Sequence, residues 1–323
     1  MALIGSILGD IAGSQYEFSN LRPDNLDWKN CELFTKRCRF TDDSIMGIGT
    51  KMAILENKEN PNFAKWYRNL GQAYPRAGYG GMFRQWIKDA NMGPYGSFGN
   101  GSAMRIAYCG EAFETPEATI EIAKQSALVT HNHPEGIKGA EATAVAVYMA
   151  KTGSSLLDIQ DYINKHYYKI DFKLDDIRDT YEFNETCQDT VPQALEAFFE
   201  STGFEDAIRN AISIGGDSDT LAAITGSIAE AYYGIPTDIR SHALSFLDDT
   251  LLKILTDFEN QYPSKVEITT DKSSYAIETP KGDKVSGADR SEILTASYEQ
   301  GRRAEKSIEA SAEETTPQYL FQK

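Results

Sequence analysis

Two short acidic clusters carry the residue types best suited to hold a metal ion. The first is Thr41-Asp42-Asp43-Ser44, and the second is Asp217-Ser218-Asp219-Thr220, which follows Gly215-Gly216. Each cluster places two carboxylates and a Thr hydroxyl where an apolar-periodic helical stretch begins. Hard divalent cations such as Mg²⁺ take oxygen ligands of this kind, and two metals held close together need several carboxylates.

Each cluster taken alone has a simpler interpretation. Asp and Thr are favoured at helix N-termini, where the helix dipole stabilises a carboxylate. Helix capping is therefore the better interpretation of either cluster by itself. The two clusters together, with the glycine-rich motifs described below, favour one shared metal site.

The charge balance and the cysteines exclude several classes of protein. The 323 residues carry a net charge of −16, so an electrostatic grip on nucleic acid or on an anionic membrane is not expected. There is no apolar run of about 18 residues, and the first residues lack the pattern of a signal peptide. The cysteines show no Cys-x-x-Cys spacing and are typical of reduced thiols: Cys31, Cys38, Cys109 and Cys187. We expect a cytoplasmic protein without a membrane or nucleic-acid partner.

Apolar residues recur at three- and four-residue spacing through most of the chain, which predicts helices. Period-two alternation typical of strands is absent before residue 263. The predicted helices span 42–56, 62–73, 119–130, 136–152, 155–167, 191–200, 204–213, 219–233 and 238–260. The pattern indicates an all-α fold, a compact globule of helices packed across one another.

Three segments interrupt the helical pattern and are predicted to be loops: 15–40, 74–79 and 91–102. Long glycine-rich loops in a helical protein are often functional. After Pro263 the apolar residues become sparse, so we predict a catalytic domain over 1–262 and a partly ordered C-terminal extension over 263–323.

Five motifs, in order, resemble those of the ADP-ribosylglycohydrolases, the family that includes dinitrogenase reductase-activating glycohydrolase and the ADP-ribosylarginine and ADP-ribosylserine hydrolases. The resemblance covers roughly residues 3 to 260. Its motifs are the opening segment 5–14 with Glu17, the first acidic motif 40–44, the glycine-rich segments 78–81 and 99–105, the histidine segment 130–134, and the second acidic motif 216–220.

The resemblance implies an all-α fold with a binuclear cleft that holds two Mg²⁺ or Mn²⁺ ions and cleaves the bond between ribose and a protein side chain. Such cleavage passes through an oxocarbenium-like state and needs a positioned water and an acid or base. The implied metal ligands are Thr41, Asp42, Asp43, Asp217, Asp219 and Thr220. Glu17, Asp42 and Asp43 are the implied catalytic residues, although a solvated loop carboxylate remains an alternative for Glu17.

The same resemblance implies a binding surface for ADP-ribose: Gly78, Tyr79, Gly80, Gly81, Phe98, Gly99, Asn100, Gly101, Ser102 and His131. Glycines let backbone N–H groups approach a diphosphate closely, although each loop could also be a simple tight turn. Phe98, Tyr79 or Tyr95 could stack on adenine or anchor the core. A metal role for the His131-x-His133 pair is disfavoured, because the carboxylate set is oxygen-only. His133 is predicted to cap a helix ahead of Pro134.

The predicted function is removal of ADP-ribose from a modified protein, with ADP-ribose as the product and the extension after Pro263 as a candidate protein contact. Two alternatives remain open. One is a two-metal hydrolase of another nucleotide or phosphoester, and the other is a binding or masking protein on the same scaffold. The linkage that is cut, through Arg, Ser or another residue, is also open.

Overall fold

Helices account for nearly all regular structure in the computed structural model, which describes residues 2–18 and 26–259. They are α1 (Ala2–Gly13), α2 (Asp42–Glu56), α3 (Phe63–Ala73), α4 (Gly81–Lys88), α5 (Ala107–Ala112), α6 (Pro116–Leu128), α7 (Pro134–Lys151), α8 (Leu156–His166), α9 (Leu174–Ile177), α10 (Cys187–Phe199), α11 (Phe204–Ser213), α12 (Ser218–Tyr233), α13 (Thr237–Leu244) and α14 (Asp249–Glu259). In these ranges the sole β pairing is one bridge between Gly99 and Thr186. The all-α prediction is confirmed.

Short polar side chains fix where several helices begin. Thr115 precedes Pro116 and accepts a hydrogen bond from Ala118 N, and Ser155 forms a capping box with Asp158. These are favourable N-terminal signals, because they satisfy backbone N–H groups that lack a helical partner. His133 caps α7 through its bond from Glu135 N, as the sequence predicted.

Three of the predicted helices differ from the observed ones by three residues or more. The helix predicted to start at residue 119 starts at Pro116. The helix predicted over 238–260 is two helices, α13 and α14, because the chain turns after Leu244 and the Asp248 carboxylate accepts a bond from Leu251 N to start a new helix. The helix predicted to start at Val191 starts at Cys187, with Pro192 inside it. Helices α1, α4, α5 and α9 were not predicted.

Helix α12 is the centre of the fold, and every residue from Ser218 to Ala231 is buried. Helix α1 packs along it through a stripe of glycines at four-residue spacing, Gly5, Gly9 and Gly13, which share one helix face. A Cβ on any of the three would overlap the backbone of α12. The absence of side chains therefore lets the two backbones approach closely, which brings the acidic residue of α1, Asp10, beside the N-terminus of α12.

Replacing Gly9 by Ala is expected to destabilise the fold by about 1–3 kcal/mol or more, the usual cost of overpacking. The new Cβ would overlap the Ala222 carbonyl, and a backbone cannot move aside as a flexible side chain can. Gly93→Ala is the matched control, because no atom lies within 4 Å of its added Cβ. Urea unfolding measures both, and equal stabilities for the two variants would contradict the close-packing argument.

None of the helices within the described ranges combines the length and the apolar character that crossing a membrane requires. The predicted extension over 263–323, and its boundary with the catalytic domain, lie outside the described residues and stay predictions.

Candidate active site and metal centre

Two glycines set the direction of the backbone just before the second acidic cluster. Gly215 and Gly216 have φ values of +70° and +71°, a left-handed conformation that glycine adopts without a Cβ penalty. The turn ends at Asp217, the N-cap residue of α12, and Asp219 lies in the first turn of that helix. Both carboxylates therefore lie at the positive end of the helix dipole.

The first acidic cluster begins α2 and is held by a residue that the sequence analysis did not single out. Asp10 accepts hydrogen bonds from Thr41 N at 2.9 Å, Thr41 Oγ1 at 2.7 Å and Ser44 N at 3.1 Å, and from the Ser44 hydroxyl. The carboxylate of Asp10 thus joins α1 to the N-terminus of α2. The signal that could have located it was the stripe of glycines around it in the opening segment.

Asp10→Asn is expected to cost about 1.5–3 kcal/mol, since hydrogen bonds to a charged group are lost and an amide NH₂ would face N–H and O–H donors. It should also weaken metal binding, because the Thr41-to-Ser44 segment loses its anchor. Asp158→Asn is the control, as Asp158 also accepts bonds at a helix N-terminus but is exposed. Urea unfolding measures the stability of both variants, and calorimetry measures their metal affinity. Equal values for the two variants would contradict the anchoring role of Asp10.

The clusters converge at one point. Carboxylate oxygens of Asp10, Asp43 and Asp219 lie within 4.8 Å of one another, and so do those of Glu17, Asp217 and Asp219. Asp219 belongs to both groups and therefore lies at the centre of the cluster. The residues come from α1, the turn after α1, α2 and α12, so the site exists only in the folded chain.

Burial raises the pKa of every carboxyl in the cluster, and like charge adds to it at each one except Asp10. Burial is the first cause for Asp42, Asp43 and Asp219, whose pKa values lie well above the ordinary range, and neighbouring carboxylates add to it. Burial likewise raises the pKa of Asp217 to about 6 and that of Glu17 to about 8. Keeping all of these carboxylates ionised at once is therefore electrostatically unfavourable.

Within the described residues, no protein cation offsets this cluster fully. Arg39 Nη2 lies 3.4 Å from Glu17 Oε2, but the Arg39 side chain is 57% exposed, and exposed pairs contribute little. The Asp43 Oδ1 atom is buried without a hydrogen-bond partner. Buried, oxygen-only and short of positive charge, the cluster fits a hard divalent cation.

All carboxylate residues of the cluster except Asp10 line one cavity of about 430 Å³. Most of the residues predicted to bind metal or ADP-ribose line it: Glu17, Asp42, Asp43, Gly78, Gly80, Gly81, Phe98, Gly99, Asn100, Gly101, His131, Asp217, Asp219 and Thr220. Tyr95 and Glu185 also line it. The sequence analysis did not single out Glu185, which follows no recognisable motif.

Three predicted site residues are not among the residues that line the cavity. Tyr79 is buried with its ring 5.6 Å from that of Phe83. Ser102 Oγ donates to the Gly136 carbonyl at 2.6 Å, and Thr41 Oγ1 donates to Asp10. Their contacts support the walls of the site.

Asn100 connects the glycine-rich loop to the acidic cluster. Its Nδ2 donates to Asp217 Oδ2 at 2.6 Å and to Thr190 Oγ1 at 3.1 Å, so both amide hydrogens are engaged by protein. Its backbone N–H donates to the Glu185 carbonyl at 2.7 Å. The side chain predicted to contact a ligand thus orients a carboxylate of the cluster.

Exposed aromatic side chains line the cavity or adjoin its lining residues in the sequence. Phe98 is 44% exposed, and Phe18, next to Glu17, is 74% exposed. The Phe18 ring lies 5.8 Å from that of Phe183, which is two residues before Glu185. Large exposed aromatics beside a polar cavity are suited to contact a flat ligand group or the surface of a modified protein.

Comparison with known proteins identifies the family of this chain. The family model described as ADP-ribosylglycohydrolase matches residues 1–265. The chain is 27% identical to human ADP-ribosylhydrolase ARH3, over 72% of this chain and 84% of that protein. It is also 27% identical to the ADP-ribosyl-[dinitrogen reductase] glycohydrolase of Rhodospirillum rubrum, over 76% of this chain and 89% of that protein.

A solved structure described as an ADP-ribosylglycohydrolase-related protein complex shares the fold. Its TM-score is 0.53 at 23% identity, and the match covers 76% of this chain and 95% of that chain. With the family model matching most of the sequence, the chain belongs to the ADP-ribosylglycohydrolase family, whose enzymes hydrolyse ADP-ribose linkages.

Proposed function

We propose that this enzyme uses two Mg²⁺ ions to release ADP-ribose from a modified protein side chain. The observation that carries the proposal is the convergence of Asp43, Asp217 and Asp219 with Glu17 in a cavity that glycine-rich loops also line. A nucleotide diphosphate bound along those loops would place its far ribose near the carboxylates.

The ions would be held by Asp42, Asp43, Asp217 and Asp219, with the hydroxyls of Thr41 and Thr220. Asp219 belongs to both carboxylate groups, so it would help to hold metal in either of them. Bound there, the ions would orient the ribose hydroxyls and lower the pKa of a water. Asp10 and Asn100 would support the metal ligands rather than bind metal themselves, because their hydrogen bonds orient Thr41 and Asp217.

The remainder of the cavity suits the rest of the nucleotide. Gly78, Gly80 and Gly81 line it beside the start of α4, and the N–H groups at a helix N-terminus favour an anion. No atom lies within 4 Å of a Cβ built on Gly80 or Gly81, so the space beside them is open to a ligand. Phe98 lines the cavity and has an exposed ring that could stack on adenine.

Glu17→Gln is expected to lower turnover by about 10²–10⁴-fold, the usual range for acid–base assistance. The amide keeps the volume of the side chain but cannot take or give the proton, while ADP-ribose affinity should stay close to that of the wild type. The control is Glu182→Gln. Glu182 is exposed and lies three residues before Glu185 in the sequence, but it does not line the cavity. If turnover of Glu17→Gln stayed within a few-fold of wild type, Glu17 would be interpreted as a solvated loop carboxylate without a catalytic role.

The function itself is tested with defined ADP-ribosyl-arginine and ADP-ribosyl-serine peptides, each with Mg²⁺, Mn²⁺ or EDTA. We expect free ADP-ribose to be released from at least one peptide with metal and not with EDTA, and the panel identifies the linkage. Asp43→Asn should be inactive on the same peptide. Release of AMP or phosphate instead would favour a two-metal phosphoester hydrolase, and binding without turnover would favour a masking protein.

A further inference from the structure

His131 is a cavity residue whose ring is oriented by protein contacts on its far side. It follows α6, and its backbone N–H donates to the Ala127 carbonyl at 2.7 Å. Its ring atom Nδ1 lies 2.7 Å from Thr130 Oγ1. Both contacts place the other ring nitrogen, Nε2, toward the glycine-rich loop.

The partner of Thr130 decides which atom of this pair carries the proton. Arg105 Nη2 donates to Thr130 Oγ1 at 2.9 Å and to the Ser126 carbonyl at 2.9 Å. The guanidinium is held in place by the Tyr67 ring, with 4.3 Å between Cζ and the ring centroid. A guanidinium has donors and no acceptor. Thr130 Oγ1 therefore accepts from Arg105. Among the described residues His131 Nδ1 is the one acceptor within hydrogen-bond distance of this hydroxyl, so the Thr130 proton is directed to Nδ1.

With Nδ1 as the acceptor, a neutral imidazole carries its proton on Nε2. Among the described residues Nε2 has no hydrogen-bond partner. A Cβ built on Gly101 would lie 3.1 Å from it, and one built on Gly99 would lie 3.6 Å away. The two glycines thus keep open the space between Nε2 and the cavity.

The surroundings of the ring also keep it neutral. Burial, and then the positive charge of Arg105, lower the pKa of His131 well below its ordinary value. The other titratable ring against it is that of Tyr95, at 6.1 Å between centroids, and burial raises the Tyr95 pKa to about 12. Tyr95 is therefore uncharged near neutral pH and does not offset Arg105.

We propose that Arg105 and Thr130 are positioning residues that hold His131 as a neutral Nε2–H donor for an oxygen acceptor of the bound nucleotide, a diphosphate or ribose oxygen. The proposal rests on the proposed function for the identity of that nucleotide. The arrangement supplies a fixed hydrogen-bond donor beside the cavity. Asn100 cannot take this role, because its side-chain hydrogens are donated to Asp217 and Thr190. Because the donor does not titrate near neutral pH, its hydrogen bond persists as the acidic residues of the cavity change charge.

The first test uses the wild-type, ligand-free protein, so it does not depend on the proposed function. Proton–nitrogen correlation spectra of the imidazole rings, with the His131 signals identified by their loss in His131→Asn, should show the Nε2–H tautomer. Those signals should stay unchanged from about pH 5.5 to 8, whereas an ordinary histidine titrates near 6.5. An Nδ1–H tautomer, or titration in that range, would overturn the proposal.

The second test compares ADP-ribose affinity in three variants by calorimetry. Thr130→Val removes the hydroxyl and should weaken binding by about 3- to 10-fold, the usual range for one hydrogen bond, with a mixed tautomer at His131. Thr130→Ser restores the hydroxyl and should restore both. Thr119→Val is the matched control, because the buried Thr119 hydroxyl has no hydrogen-bond partner in the described part of the chain.

The outcomes distinguish failure of the proposed function from failure of the positioning role of Thr130. If wild-type protein shows the expected tautomer but binds no ADP-ribose, the proposed function fails and the role of the donor fails with it. If it binds ADP-ribose and Thr130→Val keeps both the affinity and the tautomer of the wild type, the proposed function stands and the positioning role of Thr130 is overturned.

Discussion

Asp219→Asn is expected to abolish most divalent-metal binding and nearly all turnover. Asp219 is the residue common to both carboxylate groups, so its loss leaves each group incomplete. Loss of a residue that only orients a metal ligand typically costs 10–100-fold in affinity or activity, and loss of a residue that would itself hold the metal should cost more than about 100-fold. Calorimetry with Mg²⁺ and release of ADP-ribose measure the two effects.

The same substitution should leave the fold intact and make the metal-free protein more stable near pH 8. Burial and the neighbouring Asp217 already disfavour the charged form of Asp219, and an amide of equal size removes that repulsion. Asp171→Asn, an exposed carboxylate paired with Lys169, is the control. Wild-type Mg²⁺ affinity in Asp219→Asn would refute the metal centre as assigned.

The second large effect is a pH dependence of stability that bound metal removes. In EDTA we expect the free energy of unfolding to fall as the pH rises from about 4 to about 8. The folded-state pKa is raised to about 6 at Asp217 and about 8 at Glu17, while the unfolded values are near 4. In that window the folded state binds more protons than the unfolded state, so stability decreases with pH by on the order of 1.4 kcal/mol per pH unit for each excess proton.

Saturating Mg²⁺ should remove most of this decrease, because the ion, bound as proposed, would neutralise the carboxylates and would bind only the folded state. At 100 times its dissociation constant, a ligand adds about 2.7 kcal/mol. Urea unfolding at several pH values, with EDTA or Mg²⁺, measures both profiles.

A control for groups outside the cluster is needed. Burial raises the pKa of Glu196 to about 7 although Lys173 lies 2.6 Å from it, so this pair also titrates in the window. Asp219→Asn keeps that pair and should show a shallower slope in EDTA than the wild type. If the wild-type slope were flat, or equal to that of Asp219→Asn, the raised pKa values of the cluster would not affect stability.

Much of the local structure could be read from the sequence because it depends on neighbouring residues. Periodic apolar positions predicted α2, α3, α7, α8, α11 and α12 closely, and the cap at His133 was predicted from the Pro that follows it. The short helices α4, α5 and α9 were missed, since few turns give too little periodicity to detect. The split between α13 and α14 was missed because Asp248 resembles an ordinary position on a helix surface.

The sequence by itself also determined the chemistry available to the site. Thr-Asp-Asp and Asp-x-Asp-Thr supply oxygen ligands wherever they are placed, and their order with the glycine motifs indicated the family. The tertiary structure alone decided which of these groups meet. Helix α1 lies against α12 because three glycines leave no side chains between the backbones, and this contact places Asp10 where it anchors Thr41 and Ser44.

Side-chain partners across the cavity wall were likewise decided only by the fold. Asn100 was predicted to face a ligand, but its amide hydrogens bond Thr190 and Asp217. Nothing in the spacing of Arg105 and His131 shows that one would set the proton of the other through Thr130. A sequence motif fixes the type of each group and its local backbone. The partner that determines its charge, tautomer and direction comes from a distant segment, which packing alone brings within hydrogen-bond distance.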